Sequence, residues 1–442
     1  MNDILNWKQL KKRRFLEHYY DAAFLLGLIC CSLVGRFPQL TLPLSGVMVL
    51  CFASSFFSDN LFLYEAIFLF MQNKMVIGST TAYRFYSYLL VLRFLLELPR
   101  FRFRLGYIPP LIVFALHCVL ATGQYDMRLG LNVIVDVAVV YIVLACVLRD
   151  DNLTRRFMLA FLLGMVISGV YGFTAVDSYT DITITGGGSE NVNRNFGSLG
   201  DSNYAGFFYD MAFIIALTLK GIPIWLNVGF AAFALVLIVR TASLSALLVL
   251  VVLICALVIL KMKKKAIPIL LVTGAVCTIV IAILMSIPAF RNIPQISGLL
   301  LRIVEKLRYL QMGRFDLLTT ERAELWTAAM NLFDAKSITG KLFGGSVITV
   351  ALNKTKILAT NWACHQSYIQ ALVNFGIVGL IAVYLPVVVI FIYRLCNHMI
   401  RPSNYENSDI KIIQLMSVFA FLVFGATVDF FVEWRYLFFL FI

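Results

Sequence analysis

Charge is scarce in this sequence: Asp, Glu, Lys and Arg make up 14% of its 442 residues, against roughly a quarter in an ordinary soluble domain. A chain so poor in charge cannot cover itself with a water-soluble surface, which excludes a soluble globular enzyme. Alternating apolar and polar segments of about ten residues are also missing, which excludes an outer-membrane barrel. No zinc-ligand spacing, phosphate-binding glycine loop, dinucleotide fingerprint or paired D-x-D acid occurs, so metal and nucleotide chemistry are not expected. Nine cysteines show no C-x-x-C spacing and mostly fall in apolar runs, where they read as small buried hydrophobes. Only four histidines are present.

What is abundant is apolar surface, 61% of the residues, arranged in runs of about 20 that each match the hydrocarbon thickness of a bilayer. Runs fall near 20–35, 39–57, 61–78, 82–98, 107–122, 130–148 and 157–175. After a polar stretch they resume near 203–219, 222–239, 241–260, 266–289, 365–393 and 411–428, with a last apolar stretch ending at Ile442. The reading is an all-α, polytopic integral membrane protein with about 13–14 spans and one large external loop containing amphipathic helices. Its segments are an N-terminal bundle over 1–176, a small external loop over 177–202, spans over 203–289, a large external loop over 290–363 and C-terminal spans over 364–442.

The net charge of +13 reads as topology rather than as nucleic-acid binding, because Lys and Arg cluster in the short links between spans. Lys11 to Arg14, Arg100 to Arg104, Arg149 to Arg156, Lys220, Lys261 to Lys265 and Arg394 to Lys411 all follow an even number of spans. That parity puts the N-terminus in the cytoplasm and both long loops outside. The 290–363 loop nevertheless holds Arg302, Lys306, Arg308, Arg314 and Arg322 among its ten basic residues, a density that suits an anionic partner.

Within that loop Thr319-Thr320-Glu321 reads as a helix start. The following helix places Arg322, Trp326, Ala329, Met330 and Phe333 on one face and Glu324, Thr327, Asn331 and Asp334 on the other. An arginine on an apolar face must snorkel or meet an anion. Arg240, ahead of Thr241-Ala242-Ser243-Leu244-Ser245, lies where an apolar stretch too long for one span must turn back on the same side. Arg240 and Arg314 therefore join Arg322 as candidates for an anionic group. His365 is the one histidine at the external mouth of a span. In the first turn of a helix, and close to a basic loop, its imidazole stays neutral and able to accept a proton. The loop from Gly186 to Tyr204 has flexible-loop composition, with amide side chains suited to sugar hydroxyls. Asn203 and Arg194 there, with Trp326 and Tyr368, are the candidates for glycan contact.

These motifs, taken together, resemble the O-antigen ligase and polymerase family. They are R-x-x-x-W at Arg322 and Trp326, F-G-G at Phe343 to Gly345, H-x-S-Y at His365 to Tyr368, G-x-x-G at Gly376 and Gly379, and G-x-x-D-S-N at Gly197 to Asn203. The resemblance covers about 195–395. It implies a GT-C-like, metal-independent and inverting glycosyltransferase with no cofactor, at the outer face of a bacterial plasma membrane. The implied donor is a glycan linked to undecaprenyl pyrophosphate, with Arg322 binding the pyrophosphate and His365 activating the acceptor hydroxyl. Besides the bilayer, a chain-length regulator and a flippase are the implied partners, and nucleic acid is not. One departure stands out: where the family has S-R after the turn this chain has Ser243-Leu244, and Arg240 is the candidate to supply that charge. The first reading is a polysaccharide polymerase; the alternatives are a ligase passing the glycan to lipid A-core or another acceptor, and a lipid-linked oligosaccharide transporter.

Overall fold

The computed structural model describes residues 2–34, 37–71 apart from 59, 76–77, 80–97, 134–143, 151–174, 179–184, 190–195, 197–262, 265–288, 293–314, 322–344, 366–400 and 408–427. Among the described residues the architecture is all-α apart from two small antiparallel hairpins, and the chain is a polytopic membrane protein. Among the described residues, four helices are both long and apolar enough to cross a bilayer: Asp151–Thr174, Ile224–Thr241, Leu244–Met262 and Ser367–Ile400. The expected spans at 107–122 and at the C-terminal end lie outside the described residues.

The chain divides into two compact units. The first comprises Met1–Arg104, Ala138–Ser178 and Gly197–Gly200. It contains α1 (Asn2–Val34), α2 (Thr41–Ser55), α3 (Leu61–Phe68), a hairpin of β1 (Val76–Ile77) and β2 (Thr80–Thr81), and α4 (Ala82–Glu97). After α5 (Ile134–Val143), which straddles the boundary, it is completed by α6 (Asp151–Thr174). Its core is aromatic: Phe24 stacks on Tyr64 at 3.9 Å between centroids, and Phe52, Phe68 and Tyr86 close around it. The run read as a span over 61–78 is the shortest of these helices, because after Phe68 the chain turns through Leu69 to Met71 and then forms the β1–β2 hairpin. Gly164 on α6 lets that helix approach the Ile67 backbone of α3, where a Cβ would meet it at 3.0 Å.

The second unit comprises Leu105–Val137, Tyr179–Phe196 and Asp201–Ile442. A hairpin of β3 (Tyr179–Ile184) and β4 (Glu190–Asn195) pairs from Tyr179 with Asn195 to Ile184 with Glu190, so strands flank the glycine run of a segment with mostly flexible-loop composition. Then follow α7 (Ser202–Thr218), α8 (Ile224–Thr241), α9 (Leu244–Met262), α10 (Ala266–Ser286), α11 (Pro294–Gln311), α12 (Arg322–Asp334), α13 (Ile338–Phe343), α14 (Ser367–Ile400) and α15 (Asp409–Gly425). The centre of the unit is α7, whose residues from Ala205 to Ala212 are all buried and which packs on α8, α9 and α15. His398 is buried in the last turn of α14, near the Leu260 carbonyl.

The faces of α12 follow the sequence pattern. Ala329 and Phe333 are buried with Val373 of α14, Trp326 and Met330 pack against them, and Thr327, Asn331 and Asp334 are exposed. Helix α14 is broken at Gly376, whose φ of 71° and ψ of −175° lie outside helical space. The end of α13 sits in that break: a Cβ on Gly344, itself at φ 80°, would lie 2.1 Å from the Asn374 carbonyl oxygen, and one on Gly376 would lie 2.5 Å from the Leu342 carbonyl. The Lys336 ammonium donates to the Val373 carbonyl at 2.6 Å and so covers a polar group in the turn where the helix is interrupted. Two glycines of the late motifs are thus one contact, in which backbone meets backbone.

Gly376→Ala combines a left-handed φ with a backbone clash. It is expected to cost at least about 2 kcal/mol, read as a lowered thermal midpoint of the detergent-solubilised protein.

Candidate functional site: an uncompensated arginine cluster

The site is built on the start of α7. Asp201 has extended backbone, and its carboxylate accepts from the amides of Asn203 at 2.7 Å and Tyr204 at 3.1 Å, an N-cap that fixes where the helix begins. Asn203 is thereby held in the first turn. Its Oδ1 accepts from Ser243 Oγ at 2.8 Å and from Arg194 Nη2 at 3.0 Å.

Ser243 belongs to the tight turn joining α8 to α9. Ala242 in this turn has φ 46° and ψ 31°, and is the one positive-φ residue other than glycine among the described residues. Thr241 Oγ1 accepts from the Ser243 amide at 3.2 Å and steadies the turn. The left-handed geometry presents two successive carbonyls to two arginines. Arg194 Nε donates to the Thr241 carbonyl at 3.0 Å, and Arg302 Nη1 donates to that of Ala242. Arg322, at the start of α12, donates through Nη1 to the carbonyl of Thr427 at 2.8 Å.

Three arginines from β4, α11 and α12 are therefore held by neutral oxygens. Among the described residues none of them makes an ion pair with a carboxylate. Arg194 is only 8% exposed. Burial, followed by the charge of Arg302, with Asp201 opposing and Arg322 reinforcing, pulls its guanidinium down to about 10. Arg302 is lowered by burial and then by Arg322, with Glu305 opposing. Arg322 is lowered by burial, with Asp201 opposing. Lys306, one turn beyond Arg302 on α11, is lowered by burial and, Glu305 opposing, by Arg302 and Arg322. Like charges and desolvation both disfavour the charged state, and among the described residues Asp201 and Glu305 oppose this from nearby without pairing with any of the three guanidiniums. A guanidinium offers five N–H donors. Arg194 uses two of them, and Arg302 and Arg322 one each, within the described residues.

The sequence-derived candidates divide accordingly. Arg322 and Arg194 meet in the cluster, with Arg194 among the cations rather than apart from them, and Asn203 orients Arg194. Arg240 lies in the last turn of α8, partly exposed and next to the turn. Arg314 is exposed beyond the C-terminal end of α11. Trp326 is partly buried in the packing between α12 and α14. Tyr368 donates its hydroxyl to the Leu422 carbonyl, and its ring lies 4.6 Å from that of Tyr384. His365, with the whole 345–365 stretch, lies outside the described residues, as does 315–321. Arg302 was counted in the basic loop but given no role. Its signal was the i, i+4 pair with Lys306, which puts two cations on one face of a helix.

Residues 229–384 match the family model described as O-antigen ligase. The match runs from α8 into α14 and takes in the Thr241 to Ser243 turn, Arg302, Arg322 and the Gly344–Gly376 contact, so over this stretch the resemblance read from the motifs is borne out. No curated protein matches the chain.

Two outcomes are expected. Inorganic pyrophosphate raises the thermal midpoint of the purified protein, by about 2.7 kcal/mol of stability at a hundredfold excess over its Kd, and Arg302→Gln abolishes most of that shift. Ala242→Gly, which relieves the left-handed alanine, raises stability by up to about 1 kcal/mol without pyrophosphate.

Proposed function

We propose that this membrane protein is a glycosyltransferase that takes its glycan from a polyprenyl pyrophosphate carrier, with Arg194, Arg302 and Arg322 holding the pyrophosphate. The observation that carries this reading is the cluster of one buried and two partly buried guanidiniums that make no ion pair among the described residues, inside the stretch that matches the O-antigen ligase model for two of its three arginines. The carrier is undecaprenyl pyrophosphate and the membrane a bacterial plasma membrane, with the site on its outer face.

In this reaction an acceptor hydroxyl oxygen attacks the anomeric carbon of the donor sugar as the bond from that carbon to the phosphate oxygen breaks. Attack from the opposite face inverts the anomeric configuration. Negative charge accumulates on the departing pyrophosphate, and preorganised guanidinium groups stabilise that charge more than they stabilise the bound donor. Because carbonyls fix Arg194, Arg302 and Arg322 beforehand, little reorganisation accompanies the step. The proton of the acceptor hydroxyl goes to His365, a role that rests on the family resemblance of H-x-S-Y.

The acceptor in the first reading is the non-reducing sugar of another lipid-linked repeat unit, which makes the protein an O-antigen or capsular polysaccharide polymerase. The family description favours the second reading, a ligase that delivers the glycan to lipid A-core or another acceptor. Both use the same cluster and differ in what occupies the acceptor side.

Glycan length in a deletion strain carrying wild type, Arg302→Ala, Arg322→Ala or His365→Ala separates them, with membrane levels of each variant measured in parallel. A polymerase gives single-repeat glycans in all three variants, with transfer rates down by about a hundredfold or more. Full-length lipid-linked chains that fail to reach a final acceptor identify the ligase. Wild-type glycan in all three rejects the site.

A further inference from the structure

Helix α11 is amphipathic with its sides reversed. Its 18 residues include Arg302, Lys306, Arg308 and Glu305, too much charge to cross a bilayer. Helical periodicity gathers Leu299, Arg302, Glu305 and Lys306 on one side and Val304 and Leu307 on the opposite one, with Ile303 and Leu310 at the border between them. In a helix at a water surface the apolar side packs inward. Here the side bearing Arg302 and Lys306 faces the protein, where α11 packs on β4, α8 and α9. The apolar side faces out, with Val304 62%, Leu307 54% and Leu310 51% exposed.

Water is a poor medium for that face, since each such side chain forgoes about 1.5–3 kcal/mol of burial. Two observations say what covers it. The two membrane-length helices on which it packs, α8 and α9, turn Val228, Leu248 and Val251 outward, at 60%, 60% and 59% exposure, as the lipid-facing surface of a membrane protein does. Arg308 and Arg314 are exposed at its flank and C-terminal end, where cations match the phosphates of lipid head groups.

We infer that α11 lies in the plane of the membrane interface, with its outward stripe among lipid acyl chains about 5–10 Å below the head groups. The helix thus anchors one of the three clustered arginines at the level of lipid phosphates. This placement is independent of any assignment of activity. If the pyrophosphate reading also holds, a lipid-borne phosphate reaches Arg302 without leaving the head-group plane.

The test uses the full-length protein in proteoliposomes made with lipids brominated high in the acyl chain. Tryptophan is introduced by Leu307→Trp or Val304→Trp, and by Thr327→Trp on the exposed polar side of α12 as the water-facing control; the emission of wild type, with its five tryptophans, is subtracted. The emission added at 307 and 304 is expected to shift to the blue and to fall by at least about half with bromolipid, the quenching expected at acyl-chain depth. Emission at 307 and 304 quenched no more than at 327 overturns the inference. Free access of aqueous iodide would then assign the face to water, and shielding that grows with protein density in the membrane would assign it to a second copy of the chain.

Discussion

Positive charge held by neutral oxygen is the constraint on which the site depends. A buried guanidinium without a counter-ion costs several kcal/mol, and three near one another cost more. The fold tolerates them because backbone carbonyls at 241, 242 and 427 give each one a fixed dipole. A carboxylate in any of those places would cancel one of the three charges and weaken what the cluster offers an anion. Carbonyls orient the arginines yet keep their charge available.

Much of the second unit can be understood as the means of supplying those carbonyls. A reversal between two membrane helices requires a tight turn, and a left-handed residue at its centre points successive carbonyls in different directions. The chain uses alanine where glycine would fit more easily. The Asp201 cap fixes the first turn of α7, and Asn203 then joins Ser243 to Arg194. The β3–β4 hairpin brings Arg194 to this point from a segment of mostly flexible-loop composition. Arg322 is held in two ways: its helix packs on α14 through Ala329, Phe333 and Val373, and its guanidinium bonds the carbonyl just after α15.

Most of the fold was legible because bilayer-length runs and a 3.6-residue period are strong one-dimensional signals. The boundaries of α4, α7, α8 and α9 fall within a few residues of the apolar runs, and both faces of α12 were read correctly. The run over 61–78 misled because apolar composition cannot tell a spanning helix from a short buried one followed by a hairpin. The site was legible in its chemistry and less so in its membership. Arg322 stood out because it breaks an apolar face. Arg302 did not, because a basic residue in a basic loop is conspicuous only once the loop is known to be a helix and its inward side is known. Trp326 and Tyr368 drew attention as aromatic residues near the site, yet the structure gives both of them packing partners. Spacing along a chain records that two residues share a face, but not what the face meets.

Arg302 bears on the departure that the sequence showed at this turn. Leu244 follows Ser243, and Arg240, nearest in sequence, sits in the last turn of α8. Charge arrives instead from α11, whose Arg302 bonds the carbonyl of Ala242 two residues before Leu244. An arginine carried on the turn has its position set by the local backbone alone. One carried on α11 has its position set by whatever holds that helix, and the medium against its outward stripe becomes part of what holds it. The cation at this point is therefore coupled, through one helix, to the apolar stripe that the same helix turns outward.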